Sequence, residues 1–139
     1  MADPEPRLNL IESYPKDGEF HYLFRKKLTH SDLMLGLILV GKRSREHLVE
    51  LKISSASVKL YSPASANTSV SFQRHGRESI VQLSKIGWTE IATRNGFAVD
   101  DEIDCWCVYH DEDGQRRTSL LVQGIEKVAI SETVSPNLC

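Results

Sequence analysis

The sequence predicts an all-β domain, an open barrel or sandwich of short strands with only two brief helical pieces. Three observations carry that prediction. Apolar residues alternate with polar ones in many short runs, turn signals separate those runs at close spacing, and helical periodicity is confined to residues 42–48 and to a stretch that begins at Gly87. Nothing in the chain alternates strand and helix at the spacing a parallel sheet requires.

Size and composition narrow the class. A chain of 139 residues is one domain that buries roughly 70% of its unfolded surface without a staple. Hydrophobic residues at 40% and charged residues at 26% exclude a disordered tail or a membrane protein. The longest apolar run, residues 33–40, is too short to cross a bilayer, so no membrane partner is expected. The opening MADPEPRLNL has acids and prolines where a secretory signal has a basic and then an apolar region, which predicts an intracellular protein. Three cysteines, Cys105, Cys107 and Cys139, form no disulfide framework. Cys105, Cys107 and His110 lack the second ligand pair of a structural zinc site, so the first two are read as small buried hydrophobes and no metal or cofactor is expected.

Residues 1–18, polar and punctuated by Tyr14-Pro15 and Asp17-Gly18, read as a flexible N-terminal extension. The domain proper is expected over residues 19–131. It opens with FHYLFRKKL, where Tyr22, Phe24, Lys26 and Leu28 share one strand face. The Thr29-His30-Ser31-Asp32 cluster favours side-chain to backbone bonds and predicts a structured loop. A buried strand over residues 35–40 ends at Gly41, and KRSREHL is one or two exposed helical turns. Strands follow over 49–53 and 58–60. Residues 61–68 read as a loop by composition, and a hairpin of 70–72 and 80–83 carries the basic tip QRHGRES at residues 73–79.

From Gly87 the pattern changes. Trp88, Ile91 and Ala92 fall at i, i+3 and i+4, so one helix face is apolar, and Asn95-Gly96 supplies a left-handed C-terminal stop. Residues 103–109 alternate as a strand, Asp113-Gly114 is the strongest hairpin signal in the chain, and 119–123 is the return strand. A last strand over 127–131 precedes a tail at 132–139.

These pieces, in this order, resemble the plant B3 DNA-binding domain. That family opens with aromatic-x-Lys-x-Leu-Thr-x-Ser-Asp, matched by Phe24, Lys26, Leu28, Thr29, Ser31 and Asp32. An apolar strand at Leu37 to Leu39, then Lys42 and a helix holding Glu46, correspond to its next segment, with Gly41 where proline is usual. Val70-x-Phe72 stands for its Trp-x-Phe strand. Gly87-Trp88 and Phe97-x-x-Asp100-Asp101 stand for its Gly-Trp helix and Leu-x-x-Gly-Asp exit, with Asp100 replacing the glycine. The resemblance covers roughly residues 20–109.

The resemblance implies an open seven-stranded pseudobarrel flanked by two short helices, in a nuclear plant transcription factor. It also implies that double-stranded DNA is held by two arms in the major groove. Carried over by position, the first arm is Lys26, Lys27, Thr29, His30 and Ser31 through Gly36, and the second is Gln73, Arg74, His75, Arg77 and Ser79 with Gly76 and Glu78. Arginine can bond guanine edges bidentately, so Arg74 and Arg77 are the expected base readers, while lysine and hydroxyl groups suit phosphate. Lys42 and Arg43, with Arg45, add a basic cluster of localisation or phosphate-binding type.

Charge distribution is compatible with this. Residues 20–90 carry a net +6, whereas 1–19 carry −3 and 91–139 carry −5, in a chain of net −2. No nucleophile elbow, P-loop, HExxH or dinucleotide fingerprint is present, so neither an enzyme nor a small-molecule substrate is expected. The competing reading is a B3-like fold kept as a protein-interaction module, with the acidic C-terminal part and Asp111-Glu112-Asp113 as contacts to protein partners.

Overall fold

The computed structural model describes residues 3–11, 14–48, 57–75 and 80–125. The strands expected over 49–53 and 127–131, residues 76–79 of the hairpin tip expected over 73–79, and the tail at 132–139 lie outside the described residues, whereas residues 73–75 of that tip are strand.

A single 3-10 turn, Leu8–Leu10, precedes β1 (Glu19–Lys27), α1 (His30–Leu35), β2 (Gly36–Leu39) and α2 (Lys42–Leu48). Then come β3 (Ser57–Ser62), β4 (Ser65–His75), β5 (Ile80–Ser84), α3 (Lys85–Asn95), β6 (Glu102–Glu112) and β7 (Gln115–Gly124). The seven described strands lie in the order β1-β6-β7-β3-β4-β5-β2, antiparallel except for β3 against β7. β1 and β2 end that order and, among the described residues, do not pair with each other, so the pseudobarrel is open. This is the mainly β, B3-type fold that the resemblance implies.

Among the described residues three α-helices flank the sheet where two were expected. The extra one is α1, which begins at the Thr-His-Ser-Asp cluster predicted as a loop. Thr29 is its N-cap, and Thr29 and Asp32 exchange side-chain to backbone bonds in a capping box. The same local bonding that suggests a loop therefore starts a helix. The loop predicted over 61–68 is likewise shorter, with Ser62 paired to Ser65 across Pro63-Ala64. Asn95 fixes that turn from α3, accepting from the Ala64 N–H at 3.0 Å and donating to Ser62 Oγ at 2.9 Å.

The predicted stripe on α3 is buried as Trp88, Ile91 and Ala92. Gly87 has φ of 50°, and a Cβ there would stand 2.8 Å from the Ser69 carbonyl oxygen and 3.0 Å from Val70 Cγ2. Only glycine lets the helix approach β4 so closely. At Gly41, where the family has proline, φ is +94°, a conformation the proline ring cannot take. Asp100, in place of the family's glycine, keeps the left-handed backbone at φ 76°.

Two cores result. The inner one joins Leu23, Leu28, Leu37, Leu60, Leu83, Trp88, Ile103, Cys105, Cys107 and Leu120. The outer one joins Ile11, Tyr61, Trp106, Val108 and Leu121. β6 is consequently buried on both faces from Ile103 to Val108. The N-terminal segment covers its outer face: the Trp106 indole donates to the Pro4 carbonyl at 3.1 Å, and Arg7 and Gln123 exchange bonds of 2.8 and 2.9 Å.

Candidate nucleic-acid interface

The first arm is the connection from β1 through α1 to β2, and its base is a closed polar network. Asp32 is 2% exposed. Its carboxylate accepts from the Lys26 ammonium at 2.7 Å and from the Thr29 backbone N–H and hydroxyl, both at 2.9 Å. Burial alone would raise its pKa, but the bonds from Lys26 and Thr29 outweigh it and hold the carboxyl below its ordinary value. The Asp32 carbonyl accepts the buried Trp88 indole N–H at 2.9 Å, which ties the arm to α3. Two backbone bonds of 2.8 Å, Leu28 N–H to the Asp101 carbonyl and Asp100 N–H to the Leu28 carbonyl, stitch the end of β1 to the entry of β6.

Lys26 therefore does more than line a strand end. Besides Asp32 it donates to the Ile38 carbonyl at 3.1 Å, joining β1 to β2 across the open side of the sheet. Two of its three donor positions are committed inside the protein. Lys27, Thr29, His30 and Ser31 are exposed around this base, although the Thr29 hydroxyl is engaged with Asp32.

The second arm belongs to the β4–β5 hairpin. Gln73, Arg74 and His75 pair in register with Gln82, Val81 and Ile80, while Arg77 and Ser79 lie outside the described residues. Because β5 pairs in turn with β2, one sheet segment carries both arms. Lys42 and Arg43 do not join the first arm. They start α2 after Gly41, with Lys42 3.9 Å from Glu46 and the Arg43 guanidinium 2.9 Å from Asp3. The basic middle of the chain is thus partly neutralised: Arg25 forks onto Asp104 at 3.0 and 3.1 Å, and Lys59 meets Glu112 at 3.1 Å. Burial, and then the hydrogen bond to Asp104, push the pKa of the Tyr22 hydroxyl up to about 12.

Residues that motif reading does not single out also line this face. Ile38 points outward from β2 opposite Gln82 of β5, which stands opposite Gln73 of β4. Gln82 Nε2 donates to the Gly36 carbonyl at 3.2 Å. Met34 and Leu35, at the end of α1, are exposed, as is Ile86. Alternation along β2 is the one sequence signal that could have marked Ile38. Gln82 is found only through strand register.

No family model matches the chain. No curated protein matches it either. Among solved structures, the Arabidopsis FUS3–DNA complex matches with a TM-score of 0.52 at 17% identity, over 76% of this chain and 98% of that one. The Arabidopsis thaliana transcription factor LEC2–DNA complex gives a TM-score of 0.48 at 18% identity, over 75% and 94%. The likeness to FUS3 is one of fold.

Proposed function

We propose that this chain is a divergent B3-type transcription factor of plant nuclei that binds double-stranded DNA through two arms in the major groove. The observation that carries the reading is the first arm itself, a short segment locked at its base by Asp32, Lys26 and Trp88 while its rim is open to water. Rigid presentation of donors is what groove binding rewards, because little ordering is left to be done on contact. The shared fold of a protein solved as a DNA complex supports it.

In this reading Lys26 and Thr29 position the arm, and Lys27, His30 and Ser31 meet phosphate oxygens. Arg74 and Arg77 read guanine edges, with Gln73, His75 and Ser79 beside them, and Lys42 and Arg43 add contacts further along the backbone. Titration of the full chain with a randomised duplex pool at two salt concentrations tests it. Affinity should fall with salt by about 0.9 in log-log slope per phosphate contact. A pool that is not retained at low salt overturns the reading. Arg74→Ala or Arg77→Ala should relax sequence preference by roughly 1–3 kcal/mol at one base pair.

One observation favours a second reading, a protein-interaction module. An open groove of about 760 Å³ lies between the N-terminal segment, β1 and α2, lined by Phe20, Tyr22, Trp106, Arg43 and His47 among others. The same titration separates the two, since a module of this kind retains no duplex. The Glu112 carboxylate of the acidic run is held below its ordinary value by Lys59, so that run is partly committed within the fold.

A further inference from the structure

The first arm carries an apolar surface that phosphate contact does not explain. Leu35 is 64% exposed, Met34 49%, Ile38 37% and Ile86 86%. Strand register relates them: Gly36 pairs with Ser84, so the helix ending at Leu35 and the helix starting at Lys85 meet the β2–β5 pair at the same end, and Ile38 follows two places along β2 on the outward face. Large apolar side chains exposed together mark a contact surface more often than chance.

The arrangement within α1 says what kind of contact. His30 and Met34, and Ser31 and Leu35, are i, i+4 pairs, so each apolar side chain lies in line with a polar donor of the proposed DNA rim. Lys27, three residues before α1, and Lys85, next to Ile86, are both exposed. Cations and hydroxyls around an apolar centre complement a groove with phosphate walls and an apolar spot on its floor. On the major-groove floor of unmodified DNA, the apolar group that distinguishes one base from another is the C5-methyl of thymine.

The geometry points to Met34 and Leu35, supported by Ile38 and Ile86, as readers of thymine methyl groups, so that the preferred site carries thymine opposite the first arm. This deepens the two-arm reading and rests on it. The test uses the full chain and a fluorescent duplex taken from selection on a random pool, with each thymine replaced in turn by deoxyuridine, which lacks only the methyl. One or two positions should lose about fourfold in affinity each, the equivalent of one buried methyl. In the double variant Met34→Ala, Leu35→Ala the ratio of affinities for the thymine and uracil duplexes should fall to one, whatever the affinity for the uracil duplex becomes.

Both truncated side chains are largely exposed, and an unchanged thermal melt confirms folding of the variant. Ile86→Ala, at a still more exposed position, should reduce the preference partially. Equal binding of thymine and uracil duplexes at every position overturns the inference while leaving DNA binding intact. So does a preference that survives the double variant. Self-association that the double variant abolishes, with no methyl effect, assigns the patch to a second copy of the chain and also overturns it. Failure to retain any duplex removes the two-arm reading itself.

Discussion

The indole N–H of Trp88 donates to the main-chain carbonyl of Asp32 at 2.9 Å, a buried bond between residues 56 apart in sequence. It connects the helix that seals the inner core to the arm that faces outward. Trp88→Phe keeps most of the apolar volume but leaves that carbonyl unsatisfied. Stability should fall by about 1–3 kcal/mol in urea denaturation, the usual cost of an orphaned buried acceptor. Duplex affinity should fall further than the stability loss alone explains, because the arm is freed.

Asp32 makes the arm acid-sensitive. Its folded-state pKa lies below the unfolded value, so its contribution is complete above the ordinary carboxylate range and is lost as pH falls through the folded value. Urea midpoints of the wild type should therefore drop between pH 5 and acid conditions. Asp32→Asn should be less stable at neutral pH, with a shallower acid dependence, since the titrating group has gone.

Lys26 and Lys27 are adjacent but should behave differently. Lys26→Ala leaves the Asp32 carboxylate, 3% exposed in its side chain, without its counter-ion, and should cost about 3–5 kcal/mol of stability. Lys27→Ala should leave the melting temperature unchanged and reduce the salt slope of duplex binding by about 0.9.

Asp100 holds a left-handed backbone at φ 76° where glycine would sit without strain. Asp100→Gly should raise stability by up to about 1 kcal/mol, less whatever the unfolded chain gains in freedom. Thermal denaturation of the two proteins decides it.

Burial raises both strand thiols, Cys107 to about 12 and Cys105 well above its ordinary value. At pH 8 the Cys107 thiolate fraction is then on the order of 10⁻⁴, too small for appreciable alkylation. In a Cys139→Ser chain, thiol reagent should label no site in the native protein and two in denaturant.

How far the sequence discloses all this depends on the range of the interaction. Alternation in residues 103–109, the Asp113-Gly114 turn and the Trp88, Ile91, Ala92 stripe are local patterns, and each is found in the fold. The Thr29 to Asp32 cluster is equally local but ambiguous, because one bonding pattern serves both a loop and a helix cap. The outer core is not legible, since burial of Trp106 and Val108 depends on Pro4 to Ile11 about a hundred residues earlier. The role of Lys26 is hidden for the same reason. A lysine ending a strand looks like a solvated charge until β2 brings the Ile38 carbonyl to it.

That last contact bears on more than the arm. Among the described residues β1 and β2 are the two margins of the sheet, and a bare strand margin is a template on which another chain can add and aggregate. With its ammonium on the Ile38 carbonyl, Lys26 occupies one of the acceptors an incoming strand would use and places a charge in its path. The residue that steadies the arm also guards one margin of the described sheet against fibre-like self-addition.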